Sequence, residues 1–97
     1  MRQASAESQP LVRQVTIVNQ KGLHARAAAK FVKLAGTFQA EIMVIKGDME
    51  VSGLSIMGLM MLAAGPGSSL ELRITGAEAK EAMAALEDLV ARKFDEG

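Results

Sequence analysis

Cysteine, tryptophan and tyrosine are absent from the chain, and phenylalanine occurs three times in 97 residues. Without thiols there are no disulfides, thiolate nucleophiles or zinc–thiolate sites. One histidine, His24, and no tight cluster of carboxylates provide no ligand set for a transition metal, and nothing in the sequence calls for another cofactor. An excess of either charge is missing too, since eleven basic residues balance eleven acidic ones. Nucleic-acid binding draws on a basic footprint and aromatic stacking surfaces, so that class is set aside. No apolar run is long enough to cross a bilayer, and residues 1–10 hold no signal-peptide core. A cytoplasmic protein without membrane insertion is expected.

What the chain has in quantity is aliphatic side chains. Hydrophobic residues make up 49% of it, so the core must be built of Ala, Val, Leu, Ile and Met. That length supports a single two-layer domain, expected over residues 11–97, with residues 1–10 as a loosely ordered polar extension.

Leu11 to Asn19 alternates, with Leu11, Arg13, Val15 and Ile17 on one side and Val12, Thr16 and Val18 on the other, which predicts a strand. Asn19-Gln20-Lys21-Gly22 reads as a polar turn. From Ala25 to Leu34 an alanine-rich run with Phe31, Val32 and Leu34 predicts a helix closed at Gly36. Gln39 to Ile45 is a second strand with Ile42 and Val44 on one face. Lys46-Gly47-Asp48 then signals a hairpin into a weaker strand over Met49 to Leu54. Ser55 opens a short apolar helix, Ile56 to Leu62, stopped by Gly65-Pro66-Gly67. Ser69 to Thr75 alternates with Leu70, Leu72 and Ile74 on one face, and Ala77 to Phe94 carries Ala79, Met83, Leu86 and Val90 at helical spacing. This order predicts an α+β open-faced sandwich, a four-stranded and mainly antiparallel sheet with three helices on one face.

Chemistry concentrates in Gly22-Leu23-His24-Ala25-Arg26. A glycine-led turn entering a helix leaves backbone N–H groups unpaired, and the peptide dipoles add positive charge, so the place is a seat for an anion such as phosphate. A neutral imidazole in that place has a ring nitrogen lone pair free to attack. Arg26 supplies a forked cation for phosphate oxygens. A lone histidine is more often structural, but one on a strand-to-helix turn beside an arginine sits on the kind of segment that carries function. No carboxylate lies near His24 in sequence to activate water.

The second feature is Ser55 before Ile56-Met57-Gly58-Leu59-Met60-Met61-Leu62. Ser55 is explained as an N-cap, and it is also placed where a phosphate would sit at a helix N-terminus. With Leu59 and Leu62 inward, Met57, Met60 and Met61 turn partly outward. They serve either as irregular core filling or as an adaptable docking patch.

Together, Gly22-Leu23-His24-Ala25-Arg26-Ala27-Ala28 and Ser55-Ile56-Met57-Gly58-Leu59-Met60 resemble the active-site and regulatory-site signatures of HPr, the histidine phosphocarrier family of the bacterial phosphoenolpyruvate-dependent phosphotransferase system. The resemblance covers roughly Val12 to Ala91. It implies a relay in which Enzyme I phosphorylates Nδ1 of His24 and the group passes on to a IIA-type acceptor. Arg26 matches the arginine that contacts the phosphoryl group, and Ser55 matches the serine modified in many bacteria by an HPr serine kinase/phosphorylase. Ile56, Met57, Met60 and Met61 match partner-docking positions, with Ala25 and Ala29 on the neighbouring helix surface. Ala27 departs from the family, which usually has proline there.

Three functions follow as expectations. The first is a phosphoryl carrier, most simply a monomer and not a stand-alone catalyst. The second is a regulatory interaction module, in a nitrogen-related branch of the system, whose phosphorylation state controls partner binding. The third, a small hydrolase using His24 as base, lacks a nucleophile and an orienting carboxylate.

Overall fold

The alternation that begins at Leu11 forms β1 (Leu11–Thr16) in a computed structural model that describes residues 9–96. Most of the expected polar extension, residues 1–8, and Gly97 lie outside the described residues. The remaining elements are α1 (Ala25–Ala35), β2 (Glu41–Lys46), β3 (Met49–Ser52), α2 (Ile56–Met61), β4 (Ser69–Thr75) and α3 (Ala79–Ala91). The strands form one sheet in the order β1-β4-β2-β3, antiparallel throughout. With the three helices this is the open-faced α+β sandwich that the pattern predicts.

Period-two alternation decides which face is wet. Leu70, Leu72 and Ile74 of the central β4 are buried, as are Val15, Ile42 and Val44 on its neighbours, while Val12 and Gln14 point to solvent. The register aligns these rows: Leu70 faces Val15, Leu72 faces Val44 and Ile74 faces Ile42. Against this face pack Ala27, Ala28, Phe31 and Ala35 of α1, Leu59 of α2, and Ala79, Ala82, Met83, Leu86, Leu89 and Val90 of α3. The inward stripe of α1 consists mainly of alanines, which lets the helix lie close to the sheet, and Val32 and Leu34 are only half-buried at its margins.

Several boundaries differ from the sequence reading, each for a local reason. β1 leaves the ladder after Thr16, because Ile17 bonds instead to the loop before β4, donating to the Ser68 carbonyl and accepting from Gly67. β3 ends at Ser52, where Gly53 passes so close to Ile42 that a Cβ would lie 2.5 Å from its Cγ2. α2 stops at Met61 rather than at the Gly-Pro-Gly segment, since Ala63 already has a left-handed backbone (φ 51°).

The largest correction concerns α3, which stops at Ala91 and does not run on to Phe94. Lys93, Phe94 and Asp95 all have positive φ (63°, 54° and 61°) and form a short left-handed hook. Such backbone is costly for side-chain-bearing residues. The cost is offset by burial of the Phe94 ring, by the Lys30 Nζ bond to the Phe94 carbonyl (3.0 Å), and by the Arg92 Nε bond to Asp95 Oδ1 (2.9 Å). The hook returns the C-terminal residues to the start of α1.

Candidate functional site

Backbone constraints set His24 in place before any side-chain chemistry enters. Gly22 has φ +67°, and a Cβ there would lie 2.5 Å from the Ala64 carbonyl oxygen, so glycine is needed both for conformation and for space. Leu23, buried, donates its N–H to that same Ala64 oxygen (2.9 Å), and His24 donates its N–H to the Gly22 oxygen (2.9 Å). His24 is the N-cap of α1, in extended backbone, and its ring makes no capping bond.

The first intrahelical bond runs from the Ala28 N–H to the His24 carbonyl (2.8 Å), which leaves the amides of Ala25, Arg26 and Ala27 ahead of the bonded series. Ala27 therefore stands in the first turn, where a proline would also fit without losing a helical bond. His24, Arg26 and Ala27 line one cleft of about 310 Å³ with Gln20, Lys21, Lys30 and the hook residues Phe94, Asp95 and Glu96. On its other side His24 borders a shallower cleft of about 220 Å³ formed with Lys21, Leu23 and the Ala63-Ala64-Gly65 segment that follows α2.

Charges in the main cleft are only partly matched. Lys30 Nζ lies 3.6 Å from Asp95, and Glu96 is held by donors described below, whereas the side chains of Lys21 and Arg26 are exposed and form no ion pair among the described residues. A free guanidinium at the positive end of a helix, beside an imidazole that is 30% exposed, can meet the equatorial oxygens of a phosphoryl group.

Sequence reasoning missed two members of the site. Asn19, which reads as a surface turn residue, is fully buried; its Nδ2 donates to the Gly22 oxygen (2.8 Å) and to Glu96 Oε1 (2.7 Å). Glu96 is the second: no carboxylate lies near His24 in sequence, but the fold brings this one from the far end of the chain to its ring. Its Oε1 lies 3.7 Å from His24 Nε2, and its Oε2 accepts from the Lys21 N–H at 3.3 Å. The Asn19 hydrogen bond holds the Glu96 carboxyl below its usual range against partial desolvation, helped by the Lys21 amide and by the nearby His24 and Lys21 charges. No local signal marks either residue, because their roles arise from a contact between opposite ends of the chain.

The remaining candidates gather on α2, which packs beside α1 but does not line the His24 clefts. Ser55 caps α2 as predicted, its Oγ accepting the Gly58 N–H at 2.9 Å. Leu59 and Leu62 are inward, whereas Met57 (71% exposed) and Met61 (63%) face solvent, with Ile56 and Met60 less so. The methionines thus form a surface rather than core filling. Ala25 and Ala29 are exposed on α1.

Residues 11–92 match the family described as "PTS HPr component phosphorylation site". A phosphocarrier protein HPr from Neisseria meningitidis is 51% identical over 87 residues, covering 90% of this chain and 98% of that protein. A phosphocarrier protein NPr from Shewanella violacea is 48% identical, over 89% of this chain and 94% of that protein. In three dimensions the chain resembles the crystal structure of HPr-C-His from Thermoanaerobacter tengcongensis (TM-score 0.85, 40% identity), covering 90% of this chain and 98% of that one.

Proposed function

The chain belongs to the HPr family of phosphocarrier proteins, and from that membership we propose that His24 is its phosphoryl-carrying residue. The group comes from phosphoenolpyruvate by way of Enzyme I and goes on to IIA-type acceptors. The observation that carries this reading is the placement of His24 at the N-cap of α1 with Arg26 in the same cleft. In-line transfer between proteins needs an exposed nucleophile with positive groups around the equatorial oxygens, and little else. As the phosphorus–donor bond breaks, the Nδ1 lone pair forms the new P–N bond, and the Arg26 guanidinium and the α1 amides receive the oxygen charge. On transfer the P–N electron pair returns to Nδ1.

Partners dock through Ile56, Met57, Met60 and Met61, with Ala25 and Ala29 beside them; the exposure of this unbranched, adaptable surface supports the reading. Ser55 is the regulatory phosphorylation site, modified by an HPr serine kinase. A phosphate there keeps acceptor oxygens at the start of α2 while placing negative charge beside the apolar patch. The protein works as a cytoplasmic monomer that presents His24 to one partner after another.

A second reading is that the protein serves a nitrogen-related branch and its phosphorylation state is read by partners more than it carries flux; a relative at 48% identity carries the name phosphocarrier protein NPr. Phosphorus NMR after incubation with phosphoenolpyruvate and catalytic Enzyme I tests the carrier. An acid-labile phosphoramidate signal is expected, absent from His24→Ala. No signal with Enzyme I from either branch would overturn it, and a signal only with the nitrogen-branch enzyme would favour the second reading.

A further inference from the structure

We infer that Glu96 is a positioning residue for His24, one that holds the imidazole proton on Nε2 and so keeps the Nδ1 lone pair available to phosphorus. The inference rests on the carrier reading above and adds to it a residue beyond the family-matched span, which ends at residue 92.

Three observations converge. The carboxylate faces Nε2 at 3.7 Å, and closing that gap to hydrogen-bond length takes a ring shift of under about 1 Å. It is held there on purpose-suited donors, since Asn19 Nδ2 and the Lys21 N–H each take one oxygen and only a carboxylate accepts from both. The segment delivering it is anchored by the buried Phe94 ring and by Lys30 on the Phe94 carbonyl, so Glu96 is not a loose end.

A carboxylate opposite one imidazole nitrogen selects the tautomer with its proton on that side, the logic by which orienting carboxylates act on catalytic histidines elsewhere. The proton matters in both half-reactions. When Nδ1 attacks phosphorus the ring becomes cationic with its proton on Nε2, and the Glu96 charge stabilises that cation. When the P–N bond breaks, the electron pair returns to Nδ1 and the ring leaves neutral, still carrying the Nε2 proton. No proton is gained or lost over the cycle. A ring lacking that proton would have to leave as imidazolate, a far poorer leaving group.

The test uses the full chain labelled with ¹⁵N at histidine, as wild type, Glu96→Gln and Glu96→Ala. In the wild type, ring NMR of the neutral imidazole should show a protonated Nε2 whose N–H exchanges slowly with water, and an unprotonated Nδ1. Both variants should exchange that proton at least about tenfold faster, and their phosphorylation by phosphoramidate, which needs no Enzyme I, should slow by roughly tenfold, the scale of losing an orienting partner. Unchanged exchange and rate in both variants would overturn the inference. So would faster phosphorylation, which would mean that the carboxylate obstructs the phosphoryl seat. If the NMR response appears but the wild type accepts phosphate from no donor, the Glu96 to His24 coupling stands and the carrier reading falls.

Discussion

Asn19 and Glu96, 77 positions apart, are joined by a 2.7 Å hydrogen bond that ties the turn before α1 to the hook after α3. Because the same Asn19 nitrogen also donates to the Gly22 oxygen, one buried amide holds both the loop that presents His24 and the carboxylate that faces its ring. Replacing it with alanine removes two bonds and leaves acceptors without their donor. Asn19→Ala should cost about 2 kcal/mol of stability, read by urea denaturation. It should also speed exchange of the His24 ring proton, because Glu96 loses its strongest anchor.

Acid should weaken the hook in a defined direction. The folded carboxyl of Glu96 lies below its ordinary value of 4.5, so its contribution to stability is complete above that value and is lost as pH falls through the lower folded one. Comparing wild type with Glu96→Gln by denaturation between pH 2 and 7 should therefore show a wild-type advantage at neutral pH that shrinks below about 4.5. Asp95, held low mainly by Arg92, titrates in the same direction in both proteins and cancels from the difference. A constant difference across that range would exclude the ionised contact.

Two glycines with nearly the same backbone should respond differently to alanine. Gly22 and Gly47 have φ of +67° and +59°, but a Cβ at Gly22 meets the Ala64 carbonyl at 2.5 Å, whereas Gly47, in the hairpin turn, has open space. Gly47→Ala should cost about 1 kcal/mol from backbone strain alone. Gly22→Ala should cost roughly 3 kcal/mol and shift the His24 resonances, since the loop must move away from Ala64. Equal costs at the two sites would rule out the close approach.

On α2, capping and docking are separable. Ser55→Ala loses the bond to the Gly58 N–H and should lower stability by about 1 kcal/mol. Met57→Glu changes an exposed side chain and should stay within about 0.5 kcal/mol of wild type. It should nonetheless slow phosphoryl transfer from Enzyme I several-fold while leaving phosphorylation by phosphoramidate unchanged. Equal slowing with both donors would place Met57 in the fold of the site and not in partner contact.

Local chemistry made much of this protein legible in its sequence. The faces of β1, β2 and β4 follow from period-two alternation, the start of α1 at His24 from a glycine turn meeting an alanine run, and the Ser55 cap from a hydroxyl ahead of an apolar stretch. All of these depend on residues a few positions apart. The end of α3 was not legible, because nothing in Arg92-Lys93-Phe94-Asp95 marks a left-handed turn at residues that bear side chains; burial of Phe94 and the Lys30 contact, both set by distant parts of the chain, help select it. Asn19 reads as a turn residue and Glu96 as a tail residue until the sheet and helices bring the two ends of the chain together. The sequence by itself determined the histidine, the arginine and the helix that presents them, through short-range pattern. Tertiary packing alone decided that a carboxylate faces Nε2, because that contact exists only once both chain ends share one surface.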